Sequence, residues 1–329
     1  MRFVLFVIAI ISFKTISAQT QLDLVEIKDS NQFITHVAYA LEYSEEHEQA
    51  LWVAYVLTKE ETIARIKRSD RFIQDPMVKS ESATDSDYKG SGYDRGHLAP
   101  AADMAWSQIT MQESFYYSNM SPQNPGFNRG IWKRLESQVR SWAILYDSVL
   151  VVTGPVLIDL LPTVGPNEVS VPRYYFKALL DLNAERFEGI AFILPNEKSQ
   201  NDLTDFVVSI DSLESLTQLN LYPFLSEEDE AKLETKSCIS CWDWQLIKPK
   251  TAFTDDEKGS KQCSGLTKAG KRCSNQTGSE IGYCHIHTNQ WKPSKRSVSV
   301  RCIGITQAGS QCKKMTLSQN SKCHLHGGN

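Results

Sequence analysis

A spacing of cysteine and histidine near the end of the chain most limits how it can fold. Cys263, Cys273, Cys284 and His287 recur as Cys302, Cys312, Cys323 and His326, each displaced by 39 residues. The flanking text repeats as well, GLTKAGKRC against GITQAGSQC and CHIH against CHLH. Four positions held at one offset mark a duplicated structural unit. Three thiolates and one imidazole per unit suit a closed, tetrahedral, structural Zn²⁺ site. The C-x9-C-x10-C-x2-H spacing is looser than that of common zinc modules, and a disulfide staple competes with the metal. Each repeat holds an odd number of Cys and so cannot pair fully within itself, which favours Zn²⁺. His285 and His324 are alternative ligands.

The repeats define two modules, 263–287 and 302–326, behind a polar linker at 251–262. Residues 258–329 carry twelve Lys/Arg and one acid, Glu280, a charge of +11 against −15 for residues 1–257. An acidic body with a basic tail points to a nucleic-acid partner, held by release of counterions. The plainer readings are a solvated basic surface or attachment to an acidic envelope. Aromatic residues are few in the tail (Tyr283 and Trp291), so a stacking platform for single strands is not supported.

Residues 1–18 read as a cleaved export signal. Arg2 supplies the positive end, Phe3–Phe13 is almost wholly apolar, and Ser17-Ala18 offers a cleavage site. This run is well short of the roughly 20 residues that span a bilayer. The expectation is a periplasmic or secreted protein without a membrane span. Such compartments are oxidising, so Cys238-Ile239-Ser240-Cys241 predicts a local disulfide.

Residues 19–250 form the body, and 41% hydrophobic content over the chain excludes disorder throughout. Strands are predicted at Leu51–Thr58, Val149–Thr153, Tyr174–Leu182 and Phe187–Leu194, where β-branched and aromatic residues run between turn signals. Trp132, Leu135, Val139, Trp142 and Tyr146 recur at three- and four-residue spacing, which predicts a helix over Ile131–Tyr146. Shorter helices are predicted at Asp211–Leu219 and Ser226–Leu233. Strands and helices without βαβ regularity indicate an α+β layered core.

The segment Ser91-Gly-Tyr-Asp-Arg-Gly-His-Leu-Ala-Pro100 carries the chemistry. His97 titrates near neutrality and suits a general base. Arg95 offers a planar cationic fork for phosphate. Gly96 removes a side chain where a substrate backbone could come close. Downstream, Asn128 opens the amphipathic helix and Glu136 lies eight residues on, so both can face one side. An amide oxygen and a carboxylate are hard ligands for Mg²⁺. Asn119 is a further amide nearby. Each also has a bland structural reading: His97 as a buried histidine beside a turn, Asn128 as a helix cap, Asn119 as a turn residue, Glu136 as a solvated charge.

The combination SGYDRGHLAPAADM, FYYSNMSPQ, FNRGIWKRLE and VVTGPV, continued by VPRYYFKALL and AFILPN, resembles the DNA/RNA non-specific endonuclease family of the ββα-metal (His-Me finger) superfamily, in its endonuclease G-like branch. The resemblance spans about residues 50–225. It implies a ββα-metal core with a mixed or antiparallel sheet, cleaving DNA and RNA phosphodiesters with little sequence preference. It further implies His97 as general base, Asn128 as the direct ligand of Mg²⁺ (with Mn²⁺ as a substitute), and Glu136 as its partner through water. Arg95 is implied to neutralise phosphate, and Asn119 to support His97 or touch substrate. An upstream phosphate-binding arginine is implied among Arg65, Arg68 and Arg71, with the choice open. The resemblance is compatible with a homodimer. The alternative is a nucleic-acid-binding protein whose nuclease-like body is inactive; the intact motif set argues against it.

Overall fold

Alternation along one strand sets the layering of the body. From Trp52 to Leu57, Trp52, Ala54 and Val56 pack into one apolar cluster, while Val53, Tyr55 and Leu57 pack into another. Successive side chains of a strand point to opposite faces, so this strand is covered on both sides. The structure is a computed structural model describing residues 24–253, except 28–31, 81, 159, 182–185 and 235–236, together with scattered residues from 261 to 316. The proposed leader, 1–18, lies outside the described residues. Contacts divide the chain into two units, Met1–Glu257 and Lys258–Asn329.

The first unit begins with strands β1 (Gln32–Thr35), β2 (Ala40–Ser44) and β3 (Gln49–Thr58). Helix α1 (Asp85–Tyr88), strand β4 (Asp94–His97), helix α2 (Gln108–Glu113) and strand β5 (Met120–Gln123) follow, then helix α3 (Lys133–Leu145) and strand β6 (Ser148–Pro155). A small hairpin, β7 (Thr163–Val164) with β8 (Val169–Ser170), precedes β9 (Tyr174–Asp181), β10 (Glu188–Pro195) and β11 (Val207–Val208). Helices α4 (Ile210–Thr217) and α5 (Glu227–Glu234) complete the unit's regular elements. The second unit contributes the strand pairs β12 (Lys261–Gln262) with β13 (Gln276–Thr277), and β14 (Val300–Arg301) with β15 (Met315–Thr316).

The main sheet has seven strands in the order β1-β2-β3-β6-β9-β10-β11. Every pairing in it is antiparallel. The α+β expectation holds, and each of the four predicted strands lies on a sheet strand, β3, β6, β9 and β10. One face carries α3, whose Trp132, Leu135, Val139 and Trp142 stripe is buried against Val53, Tyr55, Val151 and Leu179. On the other face α4 and α5 lay Ile210, Leu213 and Leu233 over Trp52, Phe176 and Leu180. Burying one such side chain contributes about 1.5–3 kcal/mol. Both short helices start on serine caps: Ser209 Oγ accepts from Ser212 N at 3.1 Å and Ser226 Oγ from Asp229 N at 3.2 Å.

The helix expected over Ile131–Tyr146 is present, but it does not continue back to Asn128. A wide π-type turn spans Phe127–Trp132, broken at Gly130 with φ −105° and ψ −110°, and only then does α3 run regularly. Asn128 sits on the turn and Glu136 on the helix. The eight-residue helical spacing that placed them on one face is therefore corrected: the break, not a continuous helix, sets their relative position.

Candidate active site

The motif strand β4 pairs antiparallel with β5: Asp94 opposite Gln123, Arg95 opposite Pro122, Gly96 opposite Ser121, His97 opposite Met120. The broken turn and α3 follow β5 directly, so strand, strand and helix form one ββα unit. Pairing forces alternation, and the two faces of β4 acquire different partners. Arg95 and His97 both meet Phe72; Asp94 turns to the helix side.

His97 is 8% exposed, and its Nε2 makes no hydrogen bond among the described residues. Phe115 meets the imidazole edge-on with centroids 4.8 Å apart, and Phe72 lies at 5.8 Å. Burial, and secondarily the charges of Arg68 and Arg95, push the His97 pKa down to about 3. The ring is therefore neutral at physiological pH. The guanidinium of Arg95 lies 4.0 Å from the Phe72 ring centroid and pairs with Asp85 at 2.5 Å.

The hairpin favours one of the two roles considered for Asn119 and corrects the reading of Gly96. Asn119 is fully buried, and its amide is engaged entirely by backbone: Oδ1 accepts from Ala99 N at 2.8 Å, and Nδ2 donates to Ala99 O at 2.9 Å and Ser114 O at 2.8 Å. It is placed to hold the segment after His97 and has no group left for substrate. Gly96 does not open space for a substrate. A Cβ there would come 2.1 Å from Gln123 Cδ, so the glycine makes room for the protein's own glutamine. Gln123 is fully buried, and neither amide atom finds a partner among the described residues.

On the helix side, Asp94 Oδ2 accepts from Asn128 Nδ2 at 2.9 Å and Arg129 Nε at 2.8 Å, while Oδ1 accepts from Arg129 Nη2. With its nitrogen engaged, the Asn128 amide presents Oδ1 as the free donor, the atom a hard cation requires. Glu136 is half-buried among charges. Arg140 pairs with Asp103 at 2.7 Å, and Tyr55 donates to the same carboxylate at 2.8 Å. Lys177, fully buried on β9, lies over the Trp132 ring at 4.6 Å, and its Nζ makes no hydrogen bond among the described residues. Burial pushes the Glu136 carboxyl up, and Arg140, Lys177 and Arg68 oppose that shift. Burial likewise pushes Lys177 down. A neutral amide oxygen and a carboxylate fit a divalent cation with hard-ligand preference.

Of the three upstream arginines, Arg68 reaches the site. Its guanidinium lies 5.0 Å from the Phe115 ring centroid, and its charge acts on both His97 and Glu136. Arg68 also pairs with Asp70 at 3.1 Å. The main-chain bonds of Arg65 and Arg71, N to Ala105 O and N to Ser69 Oγ, do not decide where their guanidinium groups lie. Sequence reading missed Asp94, although it stands inside the motif. It also missed Arg140, one turn beyond Glu136, and Asp103 and Lys177, which tertiary folding brings in from distant segments.

Outside the body core, Cys238 and Cys241 are joined by a disulfide, as their spacing predicted. Cys263, Cys273 and His287 converge in the second unit. Cys284, Cys302, Cys312, Cys323 and His326 lie outside the described residues.

A family model described as DNA/RNA non-specific endonuclease matches residues 18–228. A second model, described as a domain of unknown function, matches residues 260–299. The mitochondrial endonuclease G of Bos taurus is 35% identical over 207 residues, covering 58% of this chain and 69% of its own length. The mitochondrial nuclease of Saccharomyces cerevisiae is 37% identical over 203 residues, covering 54% of this chain and 62% of its own. A chain of the solved EndoG/EndoGI complex, a structure described as giving the mechanism of EndoG inhibition, aligns with a TM-score of 0.61. It is 28% identical and covers 66% of this chain and 96% of its own. The relatives' names overturn one expectation. These relatives are mitochondrial proteins, against the expected periplasmic or secreted location. The export reading rested on the charge, apolar length and small-residue cleavage site of a leader outside the described residues.

Proposed function

Because the chain belongs to the DNA/RNA non-specific endonuclease family, we propose that it hydrolyses phosphodiesters with His97 as general base beside a divalent cation held at Asn128. The family is divalent-metal dependent, generally on Mg²⁺. The observation that carries this reading is the hydrogen bond from Asn128 to Asp94 at 2.9 Å. It ties the segment bearing Asn128 and Glu136 to the strand bearing Arg95 and His97.

Asn128 Oδ1 would hold the cation directly and Glu136 through water. When bound, Mg²⁺ supplies Lewis-acid stabilisation of the charge that builds on the phosphate. His97, kept neutral by its surroundings, takes a proton from the attacking water through its unpaired Nε2. As the water oxygen bonds to phosphorus, the P–O3′ bond breaks and the 3′ oxygen takes a proton from solvent. The products carry 5′-phosphate and 3′-hydroxyl ends. Arg95 and Arg68 offset the phosphate charge, and Asn119 positions His97 without touching substrate. General-base assistance of this kind contributes about 10²–10⁴-fold. Contacts of this set fall on phosphate rather than on base edges, in keeping with low sequence preference.

Plasmid nicking with and without EDTA, beside His97→Ala, tests the reading. Cleavage lost in both, with DNA retention intact, supports it. Near wild-type cleavage by His97→Ala would refute the base assignment.

A further inference from the structure

The second unit holds a cluster of a different kind, and nothing in the nuclease reading uses it. Cys263, Cys273 and His287 are buried, and their ligand atoms lie within 4.8 Å of one another. We propose that these three side chains bind a structural zinc ion, with the imidazole ligating through Nδ1. The assignment does not rest on the catalytic one.

The spacing of the donors carries the argument. Zn–S of about 2.3 Å and Zn–N of about 2.0–2.1 Å, set at a tetrahedral angle, separate sulfur and nitrogen by about 3.5–3.6 Å. Cys263 Sγ and His287 Nδ1 are 3.6 Å apart. A cysteine pair closed by a disulfide has no need of an imidazole at that distance.

The surrounding backbone is arranged for a thiolate. Gly265 N–H donates to Cys263 Sγ at 3.3 Å, two residues on, the outer contact that steadies a metal-bound sulfur. Gly265 also lies flat against the imidazole: a Cβ there would meet His287 Cβ at 2.3 Å and Cγ at 2.4 Å. Only a glycine lets the chain pass between the two ligands. Cys273 is fixed by its own N–H to Gly265 O at 2.8 Å and by Gln262 Nε2, which donates to Cys273 O at 3.1 Å. One small loop therefore sets the positions of both thiols and packs against the imidazole.

The duplication has a structural counterpart. The β12–β13 pair aligns Lys261 with Thr277 and Gln262 with Gln276. The β14–β15 pair aligns Val300 with Thr316 and Arg301 with Met315, the same register 39 residues later. The hairpin that positions Cys263 and Cys273 is thus a repeated device of this unit.

The test uses the full chain purified without chelator, with metal content read by mass spectrometry. The expected result is bound zinc, one equivalent of which is lost in Cys263→Ser with Cys273→Ser. His287→Ala loses the same equivalent and His287→Cys, which keeps a soft donor, retains it. Replacement by Co²⁺ gives the visible bands of a tetrahedral thiolate site, absent from the double serine variant. DNA cleavage by the same variants reports that the nuclease unit remains folded. Protein without zinc, unchanged zinc in the double serine variant or in His287→Ala, or a Cys263–Cys273 disulfide in non-reducing peptide maps would overturn the assignment.

Discussion

Asp94 and Asn128 share a hydrogen bond across the ββα unit, and Arg129 occupies the rest of the same carboxylate. The arrangement orients the Asn128 amide so that oxygen, not nitrogen, is the free end. Asp94→Ala should therefore weaken the apparent Mg²⁺ affinity about 10–100-fold, the usual cost of losing an outer partner of a metal ligand. Saturating Mg²⁺ should restore much of the rate. Cleavage rates titrated against Mg²⁺ measure this, and an unchanged midpoint would disprove the orienting role.

His97 makes stability depend on pH with a defined sign. Its folded pKa lies near 3, below the ordinary value of 6.5. Between those values the unfolded chain binds the extra proton. The contribution is complete above pH 6.5 and is lost as pH falls towards 3. Lowering pH from 7 to 4.5 should remove about 2–3 kcal/mol through this group, at 1.36 kcal/mol per unit. Urea denaturation of the wild type and His97→Asn at both pH values isolates the term, which the variant should lack.

Gly96 and Gln123 should behave as a coupled pair. Gly96→Ala drives a methyl into the buried Gln123 side chain and should destabilise by about 1–3 kcal/mol. Gln123→Ala in the same chain removes the collision, so the double variant should recover part of the loss. A double-mutant cycle in thermal or chemical denaturation reads the coupling; strict additivity would exclude it.

Asn119→Ala should reduce stability by about 1–3 kcal/mol for each backbone group left unpaired. Because the amide has no group to spare for substrate, kcat should fall with little change in KM. A rise in KM alone would instead indicate a substrate contact.

The charge division between units predicts a salt effect. A chain ended after Glu257 should keep cleavage, while its DNA binding should show a shallower dependence on salt. Every phosphate that the tail no longer neutralises removes about 0.9 from the log–log slope. Identical slopes would mean that the basic tail does not touch nucleic acid.

What the sequence revealed followed from periodicity and from motif text. The Trp132-Leu135-Val139-Trp142 stripe identified the helix because a buried face must repeat with the helical turn. Four of the five inner strands stood out because they are largely apolar on both faces; β2, with Glu42 and Ser44, did not. Strand β4, Asp-Arg-Gly-His, has no β-branched residue and an interior glycine, so local preference argued against it; pairing with β5 decides its form. The break at Gly130 was invisible because the apolar stripe begins only beyond it, at Trp132. The surroundings of Glu136 were invisible for another reason: Lys177 and Asp103 lie far away in sequence, and a lysine within a strand gives no sign that it is buried.

That buried cluster has a consequence for how the enzyme fills. Asp103, Glu136, Arg140 and Lys177 cancel in formal charge, Asp94 with Arg129 cancels beside them, and Arg68 and Arg95 are matched by Asp70 and Asp85. A divalent ion added to so balanced a neighbourhood brings a surplus the protein does not answer, and a phosphodiester brings the missing negative sign. Ion and nucleic acid should each raise the occupancy of the other by the same factor, as linkage requires.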